Sequence, residues 1–438
     1  MSGKKKKKKN AGPPLPMVRL SQCMIVKNEE KNIEKALSWA KGIAFEQIVV
    51  DTGSTDRTVE IAESLGAKVY HFEWIDDFSA AKNFALDQTT GNWVAFLDAD
   101  EFFSPVDAKR VLIYLRNIMS DFEMRKKHLA LNCKISNVDE NGKPFSVFVQ
   151  ERVFRKSPEI RYIGKIHEQL NVPRKNVARA EEITIIHTGY SRSAYEATGK
   201  TDRNIELISR EIEENPKDAN LSVYLADSLW VRGSEGDQVE ALKLYAKAIE
   251  SNHDLDSMLK KNSYLRLIET GINASDTTSQ TETLCRRALD EWPGDMDIEF
   301  FLAIITYNNG KHYEAWEMFK EVESKLVGVK SLDDARILTA KPVELFTRMM
   351  IVADALGDVQ GVIRYAMMVL TADKTQEGVL APVIQTLLRN DTSEDEVLGL
   401  ISKIYDMDNP RDLLQIARAA KDCGAKELAV RVVEMIKT

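Results

Sequence analysis

The chain has 438 residues, 44% hydrophobic and 29% charged, with a formal net charge of −8, the profile of ordinary globular protein of roughly two or three domains. No apolar run approaches the roughly 18 residues that span a bilayer, which excludes stable membrane insertion. Cys23, Cys133, Cys285 and Cys423 lack metal-ligand spacing and suit small core positions in a reduced, cytoplasmic compartment.

At the N-terminus Lys4 to Lys9 run without an apolar segment behind them, so this is no secretory signal. With no aromatic residue interleaved, the run reads as a solvated tail rather than a nucleic-acid contact, with Ala11 to Pro16 as linker. Leu20–Val26 reads as a strand, followed by Asn28 as a helix cap and a helix over Lys31–Ala40, apolar at Ile33, Ala36, Leu37 and Ala40. Gln47–Asp51 is a second buried strand. Thr52 to Asp56 form a turn and cap, and Val59, Ile61, Ala62 and Leu65 carry the next helix. Lys68–His71 is a third strand, Phe78–Leu86 a helix, and Trp93–Leu97 a fourth strand. Strands alternating with helices of about ten residues indicate a doubly wound, mostly parallel sheet.

The fourth strand ends in Asp98, Asp100 and Glu101. Ligands of open α/β sheets lie beyond the carboxyl ends of the strands. On an extended chain Asp98 and Asp100 point to one side and repel unless a cation such as Mg2+ or Mn2+ lies between them. The same triplet also suits the N-terminus of a helix starting near Pro105. Asp51 ends the second strand in another carboxylate, and Glu29 lies beside the end of the first. Such acidic ends suit a nucleotide held by ribose, base edge and metal. No Gly-x-Gly-x-x-Gly follows the first strand, and no Gly-Lys-Ser/Thr loop is present, so dinucleotide-binding and P-loop readings lose their support.

From Leu129 the pattern changes. Leu129–Ser136 and Pro144–Phe154 form a hairpin about Asp139-Glu140-Asn141-Gly142. Short strands follow at Ile160–Tyr162 and Ile183–Ile186, leading to His167 and His187 at strand ends. After Tyr190 the chain is helical. Pro216…Tyr224-Leu225-Ala226…Gly233 recurs as Pro293…Phe301-Leu302-Ala303…Gly310, and another pair spans Val343–Leu370 with Gly357 at its turn. Half of the repeat offset is near the length of a tetratricopeptide helix pair, which points to an α-solenoid; a plain helical bundle is the alternative. The expected domains are a tail over 1–17, an α/β domain over 18–200 and helical repeats over 201–438.

Four segments in order, Cys23-Met24-Ile25-Val26-Lys27-Asn28-Glu29-Glu30, Val50-Asp51-Thr52-Gly53-Ser54-Thr55-Asp56-Arg57-Thr58, Phe78-Ser79-Ala80-Ala81-Lys82-Asn83 and Phe96-Leu97-Asp98-Ala99-Asp100-Glu101, resemble the family 2 glycosyltransferases of the GT-A fold. The later Ile166-His167-Glu168, His187-Thr188-Gly189-Tyr190 and Arg203-Asn204-Ile205 are similar to the subgroup containing the sublancin-type peptide S-glycosyltransferase. The resemblance covers roughly residues 18 to 250, and the rest only in architecture.

It implies an inverting transfer from a UDP-sugar. Val26, Asn28, Glu29, Asp51, Ser79, Lys82 and Asp98 would form the donor site, with Glu29 and Asp51 on uracil and ribose and Lys82 near the diphosphate. Asp98, Asp100 and His187 would hold Mn2+ or Mg2+. An inverting displacement needs a base on the acceptor side, for which Glu168 is first, then Glu151 and Glu101. The expected acceptor is a peptide or protein gripped by the repeats. A lipid or lipopolysaccharide-core acceptor is one alternative and a non-catalytic repeat scaffold another. A solenoid flank is compatible with a homodimer.

Overall fold

The computed structural model describes residues 17–189, 200–251, 255–274, 279–328 and 335–436. The Lys4–Lys9 tail and its linker, and Tyr190, lie outside them. The chain divides into two compact units, 1–241 and 242–438.

The first unit holds an eight-stranded sheet. Its strands in chain order are β1 (Leu20–Val26), β2 (Glu46–Asp51), β3 (Lys68–His71), β4 (Trp93–Phe96), β5 (Glu101–Phe103), β6 (Ala130–Val138), β7 (Pro144–Arg155) and β10 (Val177–His187); β8 (Tyr162–Ile163) and β9 (Gln169–Leu170) pair separately. Across the sheet the order is β3-β2-β1-β4-β7-β6-β10-β5. The first four are parallel, β7 enters antiparallel to both β4 and β6, and β10 runs parallel to β6. The early strands are apolar throughout because both faces are covered. Val94 and Phe96 pack with Cys23, Ile48 and Val50 under Ala85 and Leu86 of helix α3 (Phe78–Gln88). Trp93, Ala95 and Leu97 face the other way, onto Ala108, Val111, Leu115 and Ile118 of α4 (Pro105–Ser120).

Several expectations shift. The helix expected over 31–40 is only α1 (Ile33–Ser38), and Asn28 does not cap it. Asn28 is left-handed (φ 57°), and its side chain accepts from the Thr55 amide at 2.8 Å, tying the end of β1 to the turn after β2. β10 begins at Val177, earlier than the strand expected at Ile183, and the residues around Ile160 give only the two-residue β8. The acidic triplet does not start α4: Ser104 caps that helix, with Pro105 in its first turn, and the short β5 lies between.

The helices Lys200–Glu214 and Ala219–Arg232 belong to the first unit, which therefore extends past residue 200. Leu207, Ile208 and Leu221 are buried with Ile166, so apolar contact welds these helices to the 164–168 loop. The second unit is all helical. Met296–Asn308 packs on His312–Leu326, and Pro342–Ala355 on Val359–Ala372 across Gly357, left-handed at φ 72°.

Candidate active site

The candidate site lies beyond the carboxyl end of β4. Leu97 still pairs with β1, its amide donating to Cys23, and the chain then turns, the Glu101 amide donating to the Asp98 carbonyl at 3.0 Å. Asp98 and Asp100 are therefore not on extended backbone, and the turn aims them at different partners. Asp98 Oδ2 accepts from Arg152 at 2.9 Å, and its Oδ1 is 3.6 Å from Lys82 Nζ. Asp100 Oδ2 is 3.4 Å from His187 Nε2. Of the trio Asp98, Asp100 and His187, the structure thus brings together the last two. Among the described residues no group of three or more His, Cys, Asp or Glu side chains is arranged to hold a metal.

His187 is oriented from behind: its Nδ1 is 2.7 Å from Asn137 Oδ1. Burial alone would depress its pKa, but the contact with Asp100, with Glu101 and Asp98 nearby, holds it above the ordinary histidine value. The neighbouring strand registers explain the convergence, since His187 on β10 stands opposite Glu101 on β5 and Asn137 on β6. Gly189 completes this corner. A Cβ there would lie 1.8 Å from Asp100 Oδ2 and 2.9 Å from His187 Nε2, so any larger residue displaces the Asp100 carboxylate.

Arg152, which the sequence reading did not single out, is the central cation. It is buried and donates at 2.7 Å to Glu101, itself 1% exposed, as well as to Asp98. A register shift between β6 and β7 pairs Leu131 with Val153 but Asn132 with Glu151, so Arg152 has no partner on β6 and forms a bulge. The bulge aims the guanidinium at the site. No sequence signal marks a bulge, because it exists only relative to the neighbouring strand. Glu151, half-buried, pairs with Asn132 of β6 beside the bulge. Glu101, with no room for solvent, has its pKa raised by burial against the pull of Arg152, whereas Asp98 is held well below the usual range, Lys82 and Arg152 outweighing its desolvation.

Lys82 sits 5.2 Å from the ring centres of both Phe96 and Tyr162, with its Nζ 2.6 Å from Glu168. Its side chain is 4% exposed. Burial would lower its pKa, but Asp98 and Glu168 raise it above the ordinary lysine value. α3 as a whole clips the 162–168 loop in place. Ser79 donates to the Gly164 carbonyl at 2.5 Å, and Asn83 both donates to the Tyr162 carbonyl and accepts from its amide at 2.9 Å. Ser79 and Lys82, expected on the donor, contact that loop and Asp98. His167 is structural, left-handed at φ 52° and stacked 4.1 Å from the Tyr224 ring.

Val26 and Asp51 lie at the adjoining strand ends. The Val26 carbonyl accepts from the Thr52 amide, and Asp51 accepts from the Ser54 amide at 3.0 Å and lies 3.4 Å from His71 Nδ1. Glu29, also at this end, accepts from the Asn32 side chain. Two buried polar atoms of the site, Tyr162 Oη and Arg152 Nε, have no hydrogen-bond partner. Such atoms are costly to leave unmet.

The Glycosyl transferase family 2 profile matches residues 21–123, which carry all of this architecture through α4. A TPR repeat-containing protein of Synechococcus elongatus is 32% identical over 226 residues, 50% of this chain and 54% of that one. The SPbeta prophage-derived glycosyltransferase SunS of Bacillus subtilis is 25% identical over 301 residues, 64% of this chain and 65% of that one. The chain thus spans less than two thirds of the length of either relative. A Staphylococcus aureus TarS fragment, 1–349, crystallised with UDP-GlcNAc, is 16% identical over 67% of this chain and 92% of that one, with a TM-score of 0.35. Residues 21–123 thus match the glycosyltransferase family 2 model, and the chain that carries them continues into successive helix pairs.

Proposed function

We propose that this protein is an inverting, metal-dependent glycosyltransferase that moves a sugar from a UDP-sugar to a serine, threonine or cysteine side chain of a peptide or protein. The observation that carries the reading is that the family 2 profile falls on the segment whose acidic turn faces His187, Arg152 and Lys82.

Asp100 and His187 fit a divalent cation. Their Oδ2 and Nε2 atoms, 3.4 Å apart, stand at a separation that suits two ligands each about 2.1 Å from one ion. Mn2+ or Mg2+ there would neutralise charge developing on a diphosphate leaving group. The chain's own residues supply the rest. Arg152 and Lys82 keep Asp98 ionised, and its side chain, 38% exposed, can still reach a donor. Asp51 and Glu29 offer carboxylates to a ribose and a base edge. Glu168, anchored by Lys82, is the first candidate to take the acceptor's proton. Glu151 stands second; Glu101 is shut in behind Arg152 and positions rather than reacts. For a thiol acceptor, with a free pKa near 8.5, little base help is needed.

The test is nucleotide release from UDP-glucose, UDP-N-acetylglucosamine, UDP-galactose and GDP-mannose with manganese. Release from a UDP-sugar is expected, falling about 10–100-fold in Asp100→Ala and His187→Ala and on chelation. Equal release by wild type and both variants, or release from GDP-mannose alone, rejects the reading.

A further inference from the structure

β4 and β7 differ in length. β4 pairs with β7 only through Trp93–Arg155, Val94–Phe154 and Ala95–Val153. Past Val153, β7 runs on from Arg152 to Pro144, bonded on one side to β6. On its other side no strand among the described residues accompanies it. The opening starts past the Ala95–Val153 pair, shortly before the chain turns at Asp98. Arg152 stands at its head, 2.9 Å from Asp98 Oδ2. From Phe145 to Glu151 the edge runs for about 23 Å.

Soluble proteins blunt such edges with lysine, proline or an immediate change of direction. Phe145-Ser146-Val147-Phe148-Val149-Gln150 contains none of these and no charge. Phe145 is 39% exposed, and Val147 and Val149 are only half-buried. Alternate amides and carbonyls along this edge face outward. What satisfies a row of them is another extended backbone, and the row leads to the acidic turn.

Resting on the reading above, we propose that the acceptor polypeptide binds as an added β-strand along the open edge of β7, Phe145–Glu151, which carries its reacting side chain toward Asp98 and Glu168. Backbone hydrogen bonds supply the affinity, and side chains at alternate positions meet Phe145, Val147 and Val149. Such a site accepts an unfolded or extended segment and rejects a helical one.

The experiment uses the full chain, manganese, the UDP-sugar that gives nucleotide release, and a degenerate nonapeptide library with a central serine, threonine or cysteine. Sugar addition is read by mass spectrometry beside nucleotide release. The best library member is then resynthesised with an N-methyl group at each amide in turn. Loss of transfer at every second position, about tenfold per blocked bond, is the expected pattern. Val147→Pro and Phe148→Pro provide the reciprocal arm: neighbouring amides face opposite ways, so one variant lowers transfer per nucleotide released and the other loosens the bond to β6. An N-methyl scan with no period of two, or transfer unchanged in both proline variants, overturns the edge. So does release without modification of any library peptide, or a dimer that the proline variants convert to monomer, since the edge then belongs to a second copy. Absence of release from every donor instead removes the glycosyltransferase reading itself.

Discussion

Arg152 illustrates how a single side chain sets the chemistry of its surroundings. Its guanidinium bridges the carboxylates of Asp98 and Glu101 and leaves one buried nitrogen unmet. Removing it strands Glu101 in a solvent-free position, which typically costs about 3–5 kcal/mol. Arg152→Met should therefore lower the melting temperature sharply, and Arg152→Met with Glu101→Gln should recover part of the loss; thermal melts of both decide this. Gly189 makes a different demand. Gly189→Ala places a methyl group inside Asp100 and His187, and we expect nucleotide release to fall about tenfold or more while the melting temperature drops little, because the residue follows the end of β10. Unaltered release would mean that the Asp100–His187 corner is not used. The two residues differ in legibility. Asp98, Asp100 and His187 are visible in the sequence because chemistry-bearing residues stand at strand ends. Arg152 is not, since its importance comes from a bulge defined by the neighbouring strand.

At the scale of elements, β2 is anchored by Glu46, whose buried carboxylate accepts from Ser21, from the Thr90 amide and hydroxyl, and from Lys68. Burial pushes its pKa up, but these donors prevail and bring it to about 2. A depressed acid pKa stabilises the fold above the unfolded value near 4.5, and the stabilisation fades as pH falls toward 2. Glu46→Gln should thus cost about 1–2 kcal/mol at pH 7, discounting for solvent around Lys68. The deficit should shrink between pH 4.5 and 2.5 in denaturant melts; a pH-independent deficit would show that the charge contributes nothing. α3 was readable as a helix from its periodicity, but not its task. Ser79, Lys82 and Asn83 hold the 162–168 loop, a segment some eighty positions away in the chain. Sequence spacing carries no trace of that pairing.

At the scale of the whole molecule, the chain divides after residue 241 into two compact units, each with its own core. Units of this kind need not unfold together. Calorimetry should resolve more than one transition, with Arg152→Met moving only that of the first unit; one transition shifting as a whole would contradict this. Deleting the second unit should abolish transfer to protein while sparing slow donor hydrolysis, and equal loss of both would count against a repeat region that serves the acceptor. The sequence by itself determined the first four strands and the helices between them, the family 2 match over residues 21–123, the acidic end of β4 and the helical C-terminal region, because period, turn chemistry and motif order are local properties. Only the tertiary structure decided that Asp98 faces Arg152 while Asp100 faces His187, that Lys82 is enclosed, that the first helix pair joins the first unit, and that β7 outruns β4. Each of these depends on which strand lies beside which and in what register, and that is settled by packing between segments far apart in the chain.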